Sequence, residues 1–531
     1  MLNLYRLEQR VQQAVQERRY VGLALALVQG GDITYARGFG TTSVEDGGIA
    51  VTPDTLFCIG SISKSLTGTL VMRLVEQGKL DLDEPVISYL PGFAFSDPKL
   101  GQAVTLRHVL SHSTGLPAAG KDFGPRDPDA LRRFVWDEIP RYQFIAEPGK
   151  VHLYNNTVIV LAGYLAEVVT GRYYDQLVQE LIFEPLRMRR STFDRTVAMT
   201  YPLALAHEVD AHGVLRTRHH FTDNVSGNPA GFGISSTLDL ANFAIMHLNQ
   251  GRFQDTALLT PESVALMHTP QASRYRLGYE AGYGLGFYTG HYKGVRHVTH
   301  GGMLESYNCL LTLFPQRELA VILQCNYEDG SDMGSLVGAL YNELLDLPAA
   351  RFQPAAVAPD RSAWPRYVGT YLSVHSGLAT IEIVDDQLML ELNGETMPLT
   401  AVEGGLYHTG STYVGFVAEA SGPVQYVMID SEPYRRFARD HSFVPDVGAW
   451  AAYTGAYAVW EIDPTPIKIR IADDRLHMQW WGDEVVCTPL TATSFISPRG
   501  LIEFEPAEDG GPPVLVTAGG AARRYRVSSA T

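Results

Sequence analysis

The spacing of apolar residues divides the first part of the chain into terminal helices, strands and a helix-rich middle. Apolar positions three and four apart predict helices, and short apolar runs between turn residues predict strands. Gly30-Gly31 predicts one hairpin turn and Pro315 predicts another. Helices are predicted at 4–15, 159–170 and 336–347, and strands at 21–29, 32–40, 308–314 and 319–325. Terminal helices against an antiparallel sheet, with a helical insert between the strands, predict an α+β domain.

An Ala- and Pro-rich linker at 348–365 separates this part from an internal repeat. Four segments recur in the same order and at nearly the same spacing: 367–371 as 453–457, 385–388 as 473–476, 398–401 as 489–492, and 435–437 as 523–525. Alternating residues between them predict two related antiparallel β-barrels without a catalytic cluster of their own. The predicted domains are a catalytic domain at 1–350, a first barrel at 365–440 and a second barrel at 450–531.

Composition and charge exclude several kinds of partner. A chain of 531 residues is too long for one core, and 45% hydrophobic residues is ordinary for a soluble globular protein. The net charge of −16 argues against nucleic acid and membrane as partners. The 4 cysteines are widely spaced and form neither a disulfide framework nor a zinc pattern. Because no apolar signal-peptide core is visible near the first residue, we expect a cytoplasmic protein.

The first candidate for chemistry is the tetrad Ser61-Ile62-Ser63-Lys64, which leads into a stretch with helical apolar spacing. Residues three apart share a helix face, so Ser61 and Lys64 are expected to point the same way in the first turn. A hydroxyl beside an amine at the positive end of a helix dipole can become a nucleophile. Alone, the tetrad is weak support, because Ser-x-x-Lys occurs by chance in many helices.

A second candidate is Tyr154-Asn155-Asn156, which precedes the helix predicted at 159–170. Taken alone, this segment is better explained as an asparagine-rich loop that caps the helix. Its chemical interpretation depends on the other motifs.

A third candidate is His300-Gly301-Gly302, which lies upstream of the strand predicted at 308–314. The plainer interpretation is a turn with an incidental histidine. Chemically, two glycines would let a substrate backbone lie against a strand edge and let an amide N–H face a developing oxyanion.

The order of these three motifs resembles the penicillin-recognising serine hydrolases, a family that includes class C β-lactamases, D,D-carboxypeptidases, related esterases and D-aminopeptidase. Flanking segments at 105–117, 227–241 and 283–287 are similar to the family as well. One catalytic domain followed by two related barrels is similar in architecture to D-aminopeptidase, whose third motif is also His-Gly-Gly. The resemblance implies a β-lactamase-like α/β catalytic domain and two lipocalin-like barrels, with no cofactor and no metal.

The resemblance also implies roles for individual residues. Ser61 would attack a carbonyl carbon and become acylated, while Lys64 and Tyr154 would move the proton. Which of these two is the resting base stays open. Asn156 would hydrogen-bond Lys64 or the substrate amide, and the N–H groups of Ser61 and Met303 would form the oxyanion hole.

His300 stands where β-lactamases carry the lysine of a Lys-Thr-Gly motif. A lysine there suits the carboxylate of a penicillin, whereas a histidine is mostly neutral at pH 7. We therefore expect His300, Gly301 and Gly302 to bind substrates without that carboxylate. The leading interpretation is a serine hydrolase that forms an acyl-enzyme with small amides or peptides, in particular D-configured ones.

Other functions stay open on the sequence alone. A carboxylesterase or a weak β-lactamase could use the same residues, and a non-catalytic penicillin-binding protein could share the scaffold. His108 and His112 have the spacing of a metal-binding helix, but no glutamate follows the first of them. The only expected partner is a small-molecule substrate, and a homo-oligomer stays open. The hairpin at 497–500 is expected near the cleft of Ser61.

Overall fold

The computed structural model describes residues 4–17, 19–117, 127–210, 212–220, 223–328, 333–350, 352–392, 394–438, 442–459, 463–480, 483–507, 511–517 and 522–527. The side chains at 523–525, which belong to the predicted repeat, lie outside the described residues. Within the described part, no helix is both long enough and apolar enough to cross a bilayer.

The helices are short, and most of them lie between residues 40 and 288. They are α1 (Leu4–Gln16), α2 (Ser63–Glu76), α3 (Pro98–Gly101), α4 (Leu106–Leu110), α5 (Ala130–Arg133), α6 (Ile159–Thr170), α7 (Tyr174–Val178), α8 (Arg195–Ala198), α9 (Asn228–Gly231), α10 (Thr237–Leu248), α11 (Pro261–Met267), α12 (Met333–Leu344) and α13 (Trp364–Tyr367). The strands of the same region are β1 (Gly22–Gln29), β2 (Asp32–Gly40), β3 (Leu56–Cys58), β4 (His207–Val209), β5 (Leu215–Thr217), β6 (Ile234–Ser236), β7 (Arg252–Phe253), β8 (Thr256–Ala257), β9 (Ala272–Ser273), β10 (Gly282–Tyr283), β11 (Tyr288–Tyr292), β12 (Val295–Leu304), β13 (Tyr307–Phe314) and β14 (Leu319–Cys325).

An antiparallel 8-stranded sheet forms the centre of this region, in the order β2-β1-β14-β13-β12-β11-β10-β9. β1 is a continuous apolar run because both of its faces are covered. Ala24 and Ala26 face the helical insert, whereas Leu23, Leu25 and Leu27 pack on the side of α1 and α12. The α+β class and both predicted hairpins are confirmed, and α12 begins somewhat earlier than the sequence predicted.

The helix α2 is buried on nearly all sides, which explains why its sequence mixes leucines with Ser, Thr and Gly. Its small polar side chains form their own hydrogen bonds, as buried polar groups must. Ser65 Oγ donates to Gly286 O at 2.7 Å, and Thr67 Oγ1 donates to Pro229 O at 2.7 Å. These bonds fix α2 against α9 on one side and against the β10–β11 connection on the other.

Two β-barrels follow the linker. The first is a 9-stranded sheet of β15 (Gly369–Ser373), β16 (Gly377–Val384), β17 (Gln387–Leu392), β18 (Glu395–Pro398), β19 (Thr400–Val402), β20 (Leu406–Thr409), β21 (Thr412–Phe416), β22 (Tyr426–Ile429) and β23 (Glu432–Arg436). Its edge strands β18 and β19 are consecutive in the chain, so it is nearly closed. The second is a closed barrel of β24 (Gly455–Val459), β25 (Asp463–Ala472), β26 (Arg475–Trp480), β27 (Asp483–Pro489), β28 (Ser494–Ser497), β29 (Gly500–Glu505), β30 (Val514–Thr517) and β31 (Ala522–Val527). The predicted pair of barrels is confirmed, and the exact domain limits stay a prediction.

The repeated Tyr-x-Gly-x-Tyr segments make the same contact in both barrels. In the first barrel, the Tyr371 hydroxyl donates to Tyr367 O at 2.6 Å. In the second barrel, the Tyr457 hydroxyl donates to Tyr453 O at 2.8 Å. The tyrosines recur in sequence because each one ties the first strand of its barrel to the segment before it.

Arg436 at the end of β23 joins three segments of the first barrel. Its Nε donates to Val424 O at 2.6 Å, and its Nη1 donates to Val368 O at 2.8 Å. Its Nη2 donates to Arg366 O at 2.9 Å and to the Tyr371 hydroxyl at 2.6 Å. Only the fork of a guanidinium can serve these acceptors together.

The first barrel also contacts the N-terminal region. Ser431 Oγ donates to Arg274 O at 2.9 Å, and the Tyr426 hydroxyl donates to a carboxylate oxygen of Glu147 at 3.2 Å. The first barrel therefore contacts the segment that leads from β9 to β10.

The hairpin at 497–500 lies against the first barrel. The N–H of Leu501 donates to Val374 O at 3.0 Å, and a Cβ on Gly377 would lie 3.0 Å from Ser497 O. The expected approach of this hairpin to the cleft of Ser61 stays a prediction.

We predict that Arg436→Lys destabilises the first barrel by about 2–4 kcal/mol, because a lysine leaves several carbonyl oxygens without their donor. Arg435→Lys is the matched control, since Arg435 is exposed on the same strand. Urea denaturation of the full chain would measure both. Equal losses in the two variants would contradict the role given to Arg436.

Candidate active site

Ser61 lies in the tight turn between β3 and α2. The turn Gly60–Ile62 is a 3₁₀ turn and α2 begins at Ser63, so Ser61 precedes the α-helix instead of lying in its first turn as predicted. Gly60 has a φ of +50°, and a Cβ on it would lie 2.5 Å from Met303 N. Glycine therefore allows this turn to bring Ser61 against β12.

Lys64 Nζ is buried among three oxygen atoms. It lies 3.0 Å from Ser61 Oγ, 2.7 Å from Asn156 Oδ1 and 2.6 Å from Ala230 O. The amide and carbonyl oxygens can only accept hydrogen bonds, so each takes one N–H of the amine. A neutral amine then has its lone pair left for the hydroxyl hydrogen of Ser61.

Burial favours that neutral form. Desolvation by burial lowers the pKa of Lys64 well below its ordinary value. The structure therefore places the Ser61 hydroxyl beside an amine whose neutral form is favoured.

Tyr154 contacts both members of this pair. Burial raises the pKa of Tyr154 well above its ordinary value, and a hydrogen bond with Ser61 only partly opposes the shift. Lys64 Nζ lies 4.8 Å from the centroid of its ring. A tyrosine that stays protonated at neutral pH can donate and relay a proton, which distinguishes it from Lys64.

The two asparagines of the second motif have different roles. Asn155 is buried, and its Nδ2 donates to the carbonyls of Leu116 at 3.1 Å and Pro117 at 2.8 Å. Its Oδ1 accepts the N–H of Thr157 at 2.9 Å, ahead of α6. The plainer, capping interpretation therefore fits Asn155, whereas Asn156 contacts Lys64.

His300 is buried and has partners at both ring nitrogens. A carbonyl only accepts, so Nδ1–H donates to Gly301 O at 2.6 Å, and Nε2 accepts the Tyr283 hydroxyl at 2.9 Å. Burial lowers the pKa of His300 to about 3. The neutral form of His300 carries no positive charge, and its part in binding a substrate stays a prediction.

The two glycines of the third motif are not equivalent. A Cβ on Gly302 would overlap Ile59 O and lie 2.9 Å from Ser61 N, whereas a Cβ on Gly301 would meet its nearest neighbour at 3.8 Å. Gly302 thus permits the close approach of β12 to the Ser61 turn. This approach brings together the backbone segments of Ser61 and Met303, which were predicted to supply the oxyanion donors.

Several side chains around Tyr154 were not predicted as site residues: His112, His152, Tyr283, Tyr288 and Arg274. The rings of His112 and Tyr288 have centroids 4.5 Å and 6.1 Å from that of Tyr154. Two of the residues fall in the flanking segments 105–117 and 283–287. Nothing in their spacing distinguishes a ring packed on Tyr154 from an ordinary core residue, so no sequence signal would have found them.

His108 and His112 do not lie on one helix. α4 ends at Leu110, and His112 follows it with a φ of +56°. His108 Nδ1 accepts the N–H of Thr105 at 3.3 Å, and His112 Nδ1 accepts the N–H of Asn155 at 3.2 Å. The spacing of the two histidines therefore reflects local capping and loop contacts.

The sheet with helices on both faces, the serine ahead of a buried helix and the buried lysine beside it define the class of penicillin-recognising serine hydrolases. The model of the Beta-lactamase family matches residues 7–341, which is more than half of the chain. The chain therefore belongs to the Beta-lactamase family, and the resemblance seen in the sequence is confirmed.

Individual relatives agree with this assignment. Penicillin-binding protein 4 of Amycolatopsis lactamdurans is 34% identical over 223 residues, 41% of this chain and 58% of that protein. Unguisins hydrolase ungD' of Aspergillus campestris is 28% identical over 367 residues, 64% of this chain and 66% of that protein. The protein in the crystal structure of SurE with D-Leu has 25% sequence identity to this chain, and the two structures superpose with a TM-score of 0.60. The match covers 81% of this chain and 98% of that one. The chain thus spans less than two thirds of the length of these two curated relatives.

We predict that Gly302→Ala lowers kcat by on the order of 10²-fold, because the new Cβ must displace the Ser61 turn and its oxyanion donor. Gly301→Ala is the matched control with a smaller effect, since its Cβ meets only ordinary contacts. Steady-state kinetics and thermal unfolding of both variants would test this. Equal activity of the two variants would contradict it.

We predict that Asn156→Asp moves the acid limb of the kcat/KM profile to higher pH by about 1–3 units. A carboxylate beside Lys64 favours the protonated amine, raises the pKa of Lys64 and postpones formation of the free base. Asn156→Ala removes the contact without adding charge and serves as the control. An unmoved limb in Asn156→Asp would show that Lys64 is not the group that titrates.

Proposed function

We propose that the protein is a serine hydrolase that cleaves small amides or peptides through an acyl-enzyme. The observation that carries the proposal is the buried Lys64 Nζ, 3.0 Å from Ser61 Oγ, whose other two contacts are both acceptors. This arrangement supports Lys64 as the resting base, a choice that the sequence left open. The high pKa of Tyr154 supports a proton relay at that position.

The reaction has two halves. In acylation, Ser61 Oγ attacks the carbonyl carbon of the substrate, and the hydroxyl proton passes to Lys64 Nζ. The N–H groups of Ser61 and Met303 hold the negative oxygen. The proton then passes through the Tyr154 hydroxyl to the leaving amine as its bond to carbon breaks. In deacylation, water attacks the ester carbon, gives its proton to the same base, and Ser61 recovers its hydroxyl hydrogen.

Preference for D-configured substrates is part of the proposal. It is supported by the D-aminopeptidase-like order of domains and by the similarity to SurE, whose structure was solved with D-Leu. One relative is named as a hydrolase, unguisins hydrolase ungD', and this name supports a hydrolytic reaction.

A carboxylesterase is the second candidate. The observation in its favour is that His300 is neutral and engaged at both ring nitrogens, so it offers no charge to a substrate. A weak β-lactamase activity would use the same nucleophile. A non-catalytic penicillin-binding protein is disfavoured, because Lys64 Nζ contacts both Ser61 and Asn156 and lies 4.8 Å from the ring centroid of Tyr154.

We predict that Ser61→Ala lowers kcat by at least about 10³-fold and abolishes labelling by a fluorophosphonate, with the fold retained. D-Alanine and L-alanine derivatives provide the substrate test: kcat/KM is measured on D- and L-Ala p-nitroanilides and on the matching p-nitrophenyl esters. We expect hydrolysis of the D-anilide. Hydrolysis of esters alone would favour the carboxylesterase, and wild-type kcat in Ser61→Ala would refute both functions.

A further inference from the structure

A cleft of about 890 Å³ lies between the N-terminal region and the first barrel. Its walls come from the segment 276–279, the turn between β11 and β12, the helix α12, the linker, and the turn between β20 and β21. Clefts of this volume at the boundary of two domains are common binding sites for small molecules.

This cleft is separate from the cleft of Ser61. Tyr279 and Tyr292 line it, and both pack in the core that α1 and α12 form on one face of the 8-stranded sheet. Ile59 and Ile62, on either side of the Ser61 turn, belong to the core on the opposite face. A ligand bound between the N-terminal region and the first barrel would therefore not occupy the candidate active site.

The charged side chains that line the cleft are positive, although the protein as a whole is strongly negative. Arg276 and Lys293 both line it, whereas none of its described lining residues is Asp or Glu. The whole chain carries a net charge of −16, so a wall with cations alone departs from the average composition. Two like charges at one cleft repel each other, and a bound anion relieves that repulsion.

The side chain of Arg276 lies against the first barrel and keeps a donor unused. Its guanidinium carbon lies 5.9 Å from the ring centroid of Tyr413. Within the part of the chain that the structure describes, its buried Nε has no hydrogen-bond partner. A buried donor without an acceptor is costly, so a ligand oxygen that reaches this nitrogen would be bound favourably.

Lys293 is held in place by uncharged acceptors. Its Nζ donates to Asn342 Oδ1 at 2.7 Å and to Pro348 O, and it lies 5.4 Å from the ring centroid of Tyr292. An ammonium group has three N–H donors, so these two bonds leave one for a ligand. They also fix the side chain before a ligand arrives, which lowers the entropy lost on binding.

We infer that this cleft binds a phosphate-bearing small molecule between Arg276 and Lys293. A phosphate group carries nearly two negative charges at neutral pH, which matches two cations better than a single carboxylate does. The planar guanidinium suits the spacing of phosphate oxygens, and the ammonium adds a point charge. The inference goes beyond the proposed function and does not depend on it, because the binding site lies on the other face of the sheet.

The test measures the Kd of inorganic pyrophosphate for the full chain by isothermal titration calorimetry at constant ionic strength. We expect Arg276→Gln and Lys293→Gln each to raise this Kd by at least about tenfold, the usual weight of a charged hydrogen bond. Arg361→Gln is the matched control and should leave the Kd unchanged. The guanidinium of Arg361 also lies beside an aromatic ring, 5.4 Å from that of Trp364, but it pairs with Asp386 and does not line the cleft.

Three results would overturn the inference. The first is a wild-type protein that does not bind pyrophosphate. The second is an equal rise in Kd for all three variants, because pyrophosphate would then respond only to net charge. The third is a loss of pyrophosphate binding after Ser61 has been labelled with a fluorophosphonate, because the ligand would then occupy the cleft of Ser61.

A second measurement covers variants that fail to fold. A ligand that binds only the folded state stabilises it, so pyrophosphate should raise the Tm of the wild-type protein above its value in sodium chloride of the same ionic strength. An equal Tm in the two salts would contradict a specific site.

Discussion

The burial of one amine constrains the rest of the candidate site. Lys64 is buried in the core of the N-terminal region, and in the described part of the chain its nitrogen contacts uncharged oxygen atoms from three separate segments. An ammonium ion is expensive to bury, whereas a neutral amine with two acceptors and a hydroxyl is fully satisfied. The fold therefore stabilises the form of lysine that can accept a proton.

The composition of α2 is unusual for a buried helix. A helix buried on all sides would normally be apolar, yet α2 contains Ser63, Ser65 and Thr67. Each of these hydroxyls donates to a carbonyl oxygen, and the acceptors are Gly60 O, Gly286 O and Pro229 O. The small polar residues let neighbouring segments approach α2 closely, and the carbonyl that reaches Lys64 comes from the neighbouring helix α9.

Of the two barrels, the first contacts the segment that lies next to the candidate site. Ser431 Oγ donates to the carbonyl oxygen of Arg274. The next two residues, Tyr275 and Arg276, also contact this barrel. The second barrel contacts the first barrel at Val374. The first barrel therefore restrains the segment between β9 and β10 of the N-terminal region.

The sequence by itself determined the class of fold, the two barrels and the motif residues. Hairpins with two-residue turns, period-two strands and recurring tyrosines are local patterns, and local patterns are readable without a structure. The three motifs were recognisable because chemistry restricts residue type at each position. Tertiary structure alone decided the rest. It separated Asn155 from Asn156 and Gly301 from Gly302, since only packing shows which neighbour is crowded. It also brought Arg274 beside Tyr288, because a contact between side chains of separate segments leaves no trace in local spacing.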